Sequence, residues 1–336
     1  MSKNILLSIC IPTYNRATYL NEAIESIISQ INNSNIDKIE LCISDNNSTD
    51  NTDEIINKWK EKSFIKIVYN KNNINLGADK NYLKVIEISN GEYCWFLGSD
   101  DKIAPGAIDF VIDLLSNEKC DIYISNRKEC DVNMNILKDR SFFIKQNLLW
   151  NISETKILEK YFNNVNCLGG VFSYLSSIIF KRNIWIIDDK VEDFIGTAYV
   201  HVYILLGALI RRSTIKHINR SLVLCRLGND SFMSEGFIKR LLLDYEGYYK
   251  LAEYYFHYDQ ILFKSFYKIL KREHKFLTLI IIHYYSDIKY FKKYLIICGW
   301  NEFKIKMAYY LKFLYHFYKI VKKSLMDIKN KISISI

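Results

Sequence analysis

Short apolar segments alternate with amphipathic helical segments through the first 125 residues, and this alternation limits the possible fold more than any other feature. The helical segments lie near 20–28, 50–60, 76–88 and 105–115, the second with Ser48, Thr49 or Asp50 as its N-cap. Such alternation predicts an α/β domain with a mainly parallel sheet and helices on both faces. The predicted strands are 6–11, 39–44, 64–69, 92–97 and 121–125.

The periodic pattern weakens after residue 130. We predict loops and a helix over 131–165, a strand over 171–180, a helix over 201–211 and a strand over 221–225. Beyond about residue 232, helical segments rich in Leu, Ile, Phe, Tyr and Lys follow. The sequence therefore predicts an α/β domain over 1–232, divided near residue 130, and a helical C-terminal region over 233–336.

The formal charge of +9 comes from the C-terminal region. Residues 231–336 contain 19 Lys and Arg against nine Asp and Glu, and they hold 15 of the 25 tyrosines. This composition fits a helical bundle packed on the domain, and it also fits a helix lying on an anionic membrane surface. The basic residues are spread rather than clustered in a known module, which argues against nucleic acid as a partner.

Eight scattered cysteines without a C-x-x-C pair, and no secretory signal peptide, predict a protein of the reducing cytoplasm. The apolar runs, of which 202–210 is an example, are shorter than the roughly 20 residues that cross a bilayer. We therefore expect no membrane-spanning helix.

Polar loops follow the predicted strands at one edge of the sheet. Asp100 and Asp101 come directly after 92–97, and the other loops are Thr13–Arg16, Asp45–Asp50 and Asn72–Gly77. Ligands bind at this edge of an open α/β sheet. Two carboxylates there suit Mg²⁺ or Mn²⁺ on a nucleotide diphosphate, although they could equally cap the following helix. No G-x-x-x-x-G-K-[ST] or G-x-G-x-x-G occurs, which argues against a P-loop NTPase and a dinucleotide fold.

Four motifs carry a resemblance to a known family. They are 11–16 (IPTYNR), 44–50 (SDNNSTD), 75–77 (NLG) and 98–101 (GSDD). In this order and spacing the chain resembles the family 2 glycosyltransferases of GT-A fold over about its first 130 residues. The resemblance implies sugar transfer from a nucleotide-sugar to an acceptor hydroxyl, usually with inversion. It makes 1–130 the nucleotide-binding half of the domain and 131–232 the acceptor half.

The same resemblance implies roles for individual residues. Asp101, assisted by Asp100, holds Mn²⁺ or Mg²⁺, and the nucleotide is read by Asp45 and Asn46. The base and ribose pocket contains Thr13, Tyr14 and Arg16, and Pro12, Gly77, Lys80, Ser99 and Asp100 complete the predicted nucleotide-sugar site.

Asn46 departs from the family pattern, which usually has a second acid there. A carboxylate only accepts hydrogen bonds, as uracil N3–H requires, whereas an amide both donates and accepts, which matches cytosine. We therefore hypothesise a CDP-sugar donor.

A second set of segments resembles the abequosyltransferases of bacterial O-antigen synthesis. These enzymes transfer a 3,6-dideoxyhexose from its CDP form to a lipid-linked oligosaccharide. The resemblance implies a polyprenyl-diphosphate-linked acceptor and a position at the inner face of the cytoplasmic membrane. The alternatives are a UDP- or GDP-hexose donor, and a nucleotide- or membrane-binding scaffold without turnover. The segments are 168–177, 195–202, 224–226 and 229–232.

Inverting transfer needs a general base near the acceptor hydroxyl. His201 has an ordinary pKa near 6.5 that suits this task, but it could equally be a third metal ligand or a helix cap. Asp193 is the main competing acid, with Glu192 and Asp189. Two loops could each be functional or be ordinary turns. Arg226, Asn229 and Asp230 could contact the diphosphate or the acceptor, and Gly169-Gly170 could allow close approach of the sugar.

Overall fold

The computed structural model describes residues 5–229 and 236–334. The chain forms two compact units, Met1–Ser231 and Phe232–Ile336, called here the N-terminal and C-terminal units.

The N-terminal unit is built on one mixed sheet with the strand order β3-β2-β1-β4-β9-β6-β10-β5, to which β7 adds beside β6 and β8 beside β10. The pairs β3/β2, β2/β1, β1/β4 and β6/β10 are parallel, and β9 is antiparallel to both neighbours. The strands are β1 (Leu7–Thr13), β2 (Ile39–Asp45), β3 (Lys66–Lys71), β4 (Tyr93–Phe96), β5 (Lys102–Ile103), β6 (Ile122–Cys130), β7 (Ile136–Arg140), β8 (Leu149–Asn151), β9 (Ile178–Lys181) and β10 (Thr214–Arg226).

Helices flank this sheet, so the predicted α/β class is confirmed. Strands β1 and β2 are buried along their whole length, which explains why apolar residues predominate in them. Helix α1 buries Leu20, Ala23, Ile24 and Ile27 on one face, as its 3.6-residue periodicity predicts. The α-helices are α1 (Ala17–Ile28), α2 (Thr52–Lys62), α3 (Ala78–Glu87), α4 (Ala107–Asn117), α5 (Thr155–Asn164) and α6 (Val200–Ile210).

The segment 131–165, where loops and a helix were predicted, also contains the strands β7 and β8. Two further local predictions were wrong. Helix α2 has Asn51, not Ser48, Thr49 or Asp50, at its N-cap position. Asp50 nevertheless accepts from the N–H groups of Thr52 and Ala17 over 3.2 and 2.9 Å, so its carboxylate joins the starts of α2 and α1.

The predicted strand 171–180 is the second error. The chain there forms 3-10 turns at Leu168–Val171 and Leu175–Ser177, and only the short β9 follows. Gly169 and Gly170 are required by close packing, since a Cβ would lie 2.9 Å from the Phe142 ring and from Val165 respectively. The contacts of these glycines are therefore with the protein core.

The C-terminal unit is helical over its described residues, as predicted. Its core contains stacked aromatic side chains, and the Tyr267 hydroxyl donates to the Tyr245 carbonyl over 2.9 Å. No helix in the described ranges is long and apolar enough to cross a membrane. The helices are α7 (Phe237–Phe256), α8 (Gln260–Tyr267), α9 (Ile269–Glu273), α10 (Phe276–Tyr285), α11 (Lys289–Ile297) and α12 (Glu302–Ile334).

Candidate active site

The carboxyl ends of β1, β2, β3 and β4 lie side by side at one edge of the sheet, because these four strands are parallel neighbours. Backbone hydrogen bonds join the loops that follow these strands. The Asn46 N–H donates to the Thr13 carbonyl over 2.9 Å, and the Asn72 N–H donates to the Asp45 carbonyl over 2.8 Å. The sheet therefore gathers the predicted polar loops into one crevice.

Asp101 lies in the turn Gly98–Asp101 after β4, here called the acidic turn, and it is 5% exposed. The hydroxyls of Tyr174 and Ser176 donate to its Oδ2 over 2.6 and 2.5 Å, and the N–H of Arg226 donates to Oδ1 over 3.1 Å. Burial, helped by the Asp100 carboxylate, raises the pKa of Asp101 to about 6, although these hydrogen bonds oppose the rise. Three protein donors thus fix the orientation of this carboxylate.

Asp100 is more accessible and is held by a charged partner. Its Oδ2 pairs with Arg16 Nη1 at 2.6 Å and accepts from Asn229 Nδ2 over 3.1 Å. Arg16 Nη2 also donates to the Asn229 carbonyl over 2.6 Å. Asp100 Oδ1 accepts no hydrogen bond from the residues that the structure describes, so one carboxylate oxygen remains available at the crevice.

Arg226 ties the end of β10 to the acidic turn. Its Nε donates to the Asp100 carbonyl over 3.1 Å, and its guanidinium lies over the Tyr19 ring and pairs with Glu22 at 2.8 Å. Arg226 and Asn229 therefore lie against the acidic turn, and their contact with a diphosphate or an acceptor stays a prediction. Asp230, predicted with them, lies outside the described residues.

Asp45 and Asn46 are buried, and the protein uses their polar atoms. The Ser48 backbone and hydroxyl donate to Asp45 Oδ1 over 3.0 and 2.5 Å, and the Tyr69 hydroxyl donates to Oδ2 over 3.1 Å. Asn46 Nδ2 donates to Asn75 Oδ1 over 2.6 Å and to the Gly77 carbonyl over 3.2 Å.

The carbonyl of the Asn46 amide is also occupied. Asn46 Oδ1 accepts from the Leu76 N–H over 2.9 Å and from Asn72 Nδ2 over 3.2 Å. Four hydrogen bonds thus complete the capacity of this amide and shape the loop Asn72–Gly77. Direct reading of a base by Asn46 would break part of this network.

The predicted base and ribose pocket contains buried and exposed side chains. Pro12 and Thr13 are buried at the end of β1, and the Thr13 hydroxyl has no hydrogen-bond partner among the described residues. Tyr14 is 43% exposed beside them. A buried unpaired hydroxyl next to an exposed aromatic ring is an arrangement that a bound base and ribose could complete.

Gly77, Lys80 and Ser99 lie on two sides of the crevice. Gly77 has φ +81°, which favours glycine, and precedes α3. Lys80, in the first turn of α3, pairs with Glu192 at 3.4 Å, and Ser99 is buried in the acidic turn.

Comparison with known proteins decides the family. The profile of Glycosyl transferase family 2 matches residues 8–193, more than half of the chain. This chain is a family 2 glycosyltransferase. It is 39% identical over 276 residues to the abequosyltransferase RfbV of Salmonella typhimurium, which covers 81% of this chain and 82% of that protein. The predicted resemblance to abequosyltransferase-like enzymes is confirmed.

A shorter match of this glycosyltransferase is to the GalNAc(5)-diNAcBac-PP-undecaprenol β-1,3-glucosyltransferase of Campylobacter jejuni, 34% identical over 103 residues, 30% of this chain and 32% of that protein. Its fold is similar to S. aureus TarS 1–349 in complex with UDP-GlcNAc, with a TM-score of 0.61, 17% identity and coverage of 87% and 79% of the two chains. This likeness concerns the fold alone and confirms the GT-A class.

The structure corrects the placement expected for His201. This residue is 1% exposed in the glycosyltransferase core, and its Nε2 lies 2.9 Å from the Phe172 carbonyl. Burial lowers the pKa of His201 to about 4. A neutral ring sealed in the core does not reach an acceptor hydroxyl or a metal ion. Asp193, by contrast, is exposed on the 3-10 helix Val191–Phe194, next to Glu192, which pairs with Lys80.

Sequence reasoning missed a buried carboxylate in the glycosyltransferase. Asp79 accepts from the N–H groups of Gly196, Ala198 and Val200 over 2.8, 2.9 and 3.2 Å. Burial raises its pKa, and these N–H groups oppose that rise. Asp79 thereby fixes the start of α6 against α3. The position of Asp79, two residues after Gly77 in a predicted polar loop and helix start, could have marked it as a candidate. Its partners could not be predicted, because they are about 120 residues away in sequence.

The hydroxyls of Tyr174 and Ser176 were also missed as individual residues. Both lie in the segment 168–177 that carries the abequosyltransferase resemblance, and both donate to Asp101. Residues of the second half of the glycosyltransferase domain thus position the acid of the first half.

No cluster of three or more His, Cys, Asp or Glu side chains suited to a metal ion occurs within 5–229 or 236–334. The acidic turn offers two adjacent carboxylates, and Oδ1 of Asp100 has no hydrogen bond to any described residue. Mg²⁺ in nucleotide enzymes is commonly held by one or two carboxylates together with phosphate oxygens and water. The donor set of this glycosyltransferase therefore fits such an ion bound jointly with a diphosphate.

Proposed function

We propose that this glycosyltransferase transfers a sugar, specifically a 3,6-dideoxyhexose such as abequose, from a CDP donor to a lipid-linked oligosaccharide in O-antigen or related surface polysaccharide synthesis. The observation that carries the proposal is the 39% identity to an abequosyltransferase over four fifths of both chains. Preference for CDP rests on this similarity. The amide of Asn46 supports it less directly, because its hydrogen bonds are used to shape the loop Asn72–Gly77.

The donor would occupy the crevice between the β1 loop and the acidic turn. Tyr14 and the unpaired Thr13 hydroxyl would contact the base and ribose, and Lys80 and Arg16 would lie toward the phosphates. Asp100 and Asp101 would hold Mn²⁺ or Mg²⁺, with Asp100 Oδ1 as the accessible oxygen. Such an ion, when bound, neutralises charge that develops on the leaving diphosphate.

Asp193 is the better candidate for the general base. It is exposed, whereas His201 is sealed in the core. A base must reach the acceptor hydroxyl directly or through one water. We expect Asp193→Asn to lower kcat by about 10²-fold or more with little change in donor binding. Unchanged turnover would move the role to another acid, of which Asp189 and Glu192 are the first to test.

The acceptor would be a polyprenyl-diphosphate-linked oligosaccharide at the inner face of the cytoplasmic membrane. The relative from Campylobacter jejuni has an undecaprenol-linked substrate in its name. The basic, aromatic C-terminal unit would bring the enzyme to that surface.

A donor screen tests the proposal. Calorimetry with CDP, UDP and GDP in the presence of Mn²⁺ should show the tightest binding for CDP, and CDP-abequose should support transfer to a lipid-linked oligosaccharide acceptor. Tight UDP or GDP binding without CDP binding would identify a hexosyltransferase with another donor. Nucleotide binding without transfer from any donor, unchanged in Asp101→Asn, would indicate a scaffold.

A further inference from the structure

We propose that one face of α12 is the surface by which this protein lies on an anionic lipid bilayer. The inference deepens the membrane association in the proposed function by naming the residues that contact lipid. It concerns the C-terminal unit alone and is measured without sugar transfer, so it can fail independently of the proposed reaction.

The face consists of large side chains left in solvent. Phe303, Tyr310 and Phe317 are 72%, 71% and 66% exposed, and they recur at seven-residue intervals on one side of the helix. Phe313 and Leu314 extend the same stripe and are similarly exposed. The stripe covers four turns of helix, or roughly 20 Å at 1.5 Å per residue. Monomeric soluble proteins rarely leave an apolar stripe of this kind uncovered.

The opposite side of α12 faces its own unit. Ile305 and Ala308 are buried there, and α12 packs along α10. His283 Nε2 lies 2.9 Å from the Ile305 carbonyl, and the Tyr284 hydroxyl lies 2.8 Å from His316 Nδ1. Since these contacts fix which side is internal, the aromatic stripe is the side that points outward.

The charges around the stripe fit an anionic surface. From 303 to 326 the sequence contains six lysines and neither Asp nor Glu. Lys312 Nζ lies 4.0 Å from the centre of the Tyr309 ring, and Lys319 Nζ lies 4.9 Å from that of Tyr285. Amphipathic helices with aromatic and Leu side chains on one face and Lys beside them bind at the boundary between headgroups and acyl chains.

A second copy of the chain is a poorer occupant. Lys306 is exposed within the stripe, one turn from Phe303 and Tyr310. A helix pair formed through this stripe would desolvate the Lys306 ammonium groups, and the sequence has no Asp or Glu between 303 and 326 to pair with them. In a bilayer, the same side chain can bury its methylene stem and leave its charge among phosphate headgroups. The lysine therefore favours lipid over self-association.

The test compares two double variants of the full chain by co-sedimentation with vesicles. Phe303→Ser/Phe317→Ser removes two aromatic rings from the stripe. Phe64→Ser/Tyr258→Ser removes two exposed aromatic rings from elsewhere. With phosphatidylethanolamine–phosphatidylglycerol vesicles we expect the first pair to lower the partition coefficient about tenfold or more and the second to leave it unchanged. Neutral phosphatidylcholine vesicles should bind the unaltered protein far less.

Tryptophan fluorescence provides the second measurement. Phe317→Trp should be quenched by brominated lipids, whereas Tyr258→Trp should not. Equal partition of the two double variants, or equal quenching of the two tryptophans, would overturn the proposal. Loss of a dimer in Phe303→Ser/Phe317→Ser by analytical ultracentrifugation, without vesicle binding by the unaltered chain, would also overturn it and assign the stripe to self-association. CDP binding is measured without vesicles, so it tests the proposed donor site independently of membrane binding.

Discussion

Two loops at the same edge of the sheet, Asp45–Asp50 after β2 and the acidic turn after β4, have nearly the same sequence character and different states. In the first loop, the side chains of Asp45 and Asn46 form hydrogen bonds with neutral groups of the protein. In the second, Asp100 is balanced by the charged Arg16 and keeps one oxygen open. We expect a bound cation to compete with the Arg16 guanidinium for Asp100, whereas a base read by Asn46 would have to break hydrogen bonds that shape the loop Asn72–Gly77. We therefore propose that the first loop is a scaffold and that the second is the binding site.

The largest expected effect concerns the open carboxylate. Asp100→Asn should lower kcat/KM by about 10³-fold, because a neutral amide removes charge from the proposed cation site. Steady-state kinetics over a Mn²⁺ titration measures this loss. Asp113→Asn, on the exposed side of α4, is the matched control and should retain activity. Full activity of Asp100→Asn would break the contrast between the two loops.

The next effect tests the scaffold loop. Asn46→Asp removes the donors to Asn75 and Gly77 and places a carboxylate oxygen against their oxygens. We expect the free energy of unfolding to fall by about 1–3 kcal/mol. The KM for every nucleotide-sugar should rise about tenfold through the misplaced loop, without a change in base preference. Urea unfolding and competition between CDP and UDP measure these two results.

A change from CDP to UDP preference in Asn46→Asp, with stability retained, would instead show that Asn46 reads the base. Both loops would then bind ligand, and the distinction between a scaffold loop and a binding loop would be lost.

A smaller effect should follow from loosening Asp101. Tyr174→Phe removes one of the two hydroxyls on Oδ2 and leaves the Arg127 guanidinium over the ring. We expect Mn²⁺ affinity in the presence of CDP to fall about three- to tenfold, because the carboxylate loses an orienting donor. Calorimetry measures this shift. Tyr203→Phe, which removes a hydroxyl from Asp188, should lose stability without weakening Mn²⁺ binding.

The smallest effect on turnover is expected at His201. Gln at this position can still donate to the Phe172 carbonyl, so His201→Gln should keep kcat within about threefold. A loss of 10²-fold, about the size of general-base removal, would restore His201 as the base.

Stability should show the role of His201 more clearly. Its pKa is near 4 in the folded chain and near 6.5 when unfolded, so the unfolded chain binds the proton first. The contribution of neutral His201 is complete above pH 6.5 and is lost as the pH falls toward 4. Denaturant unfolding of His201→Gln should therefore show a shallower decline over this window than the unaltered protein. Equal slopes would contradict the buried, neutral state.

The central strands β1, β2 and β4 could be predicted because they are buried along their whole length, so apolar residues predominate in each before a polar loop begins. The segment 171–180 could not, because apolar residues there alternate with hydroxyls whose partner, Asp101, is far away in sequence. The same limit applies to Asn46 and Asp79. Residue type states which atoms can form hydrogen bonds, but the choice between a ligand and a protein partner is made by chain packing.

The Arg16 guanidinium contacts both the Asp100 carboxylate and the backbone carbonyl of Asn229, which lies 213 positions after Arg16 in the chain. Any positively charged ligand that takes Asp100 from Arg16 also weakens a link that holds Asn229. By thermodynamic reciprocity, a contact that pulls residue 229 away strengthens that ligand by the same factor. The first loop and the last described loop of the N-terminal unit therefore meet at Asp100, which contacts both the Arg16 guanidinium and the Asn229 side chain.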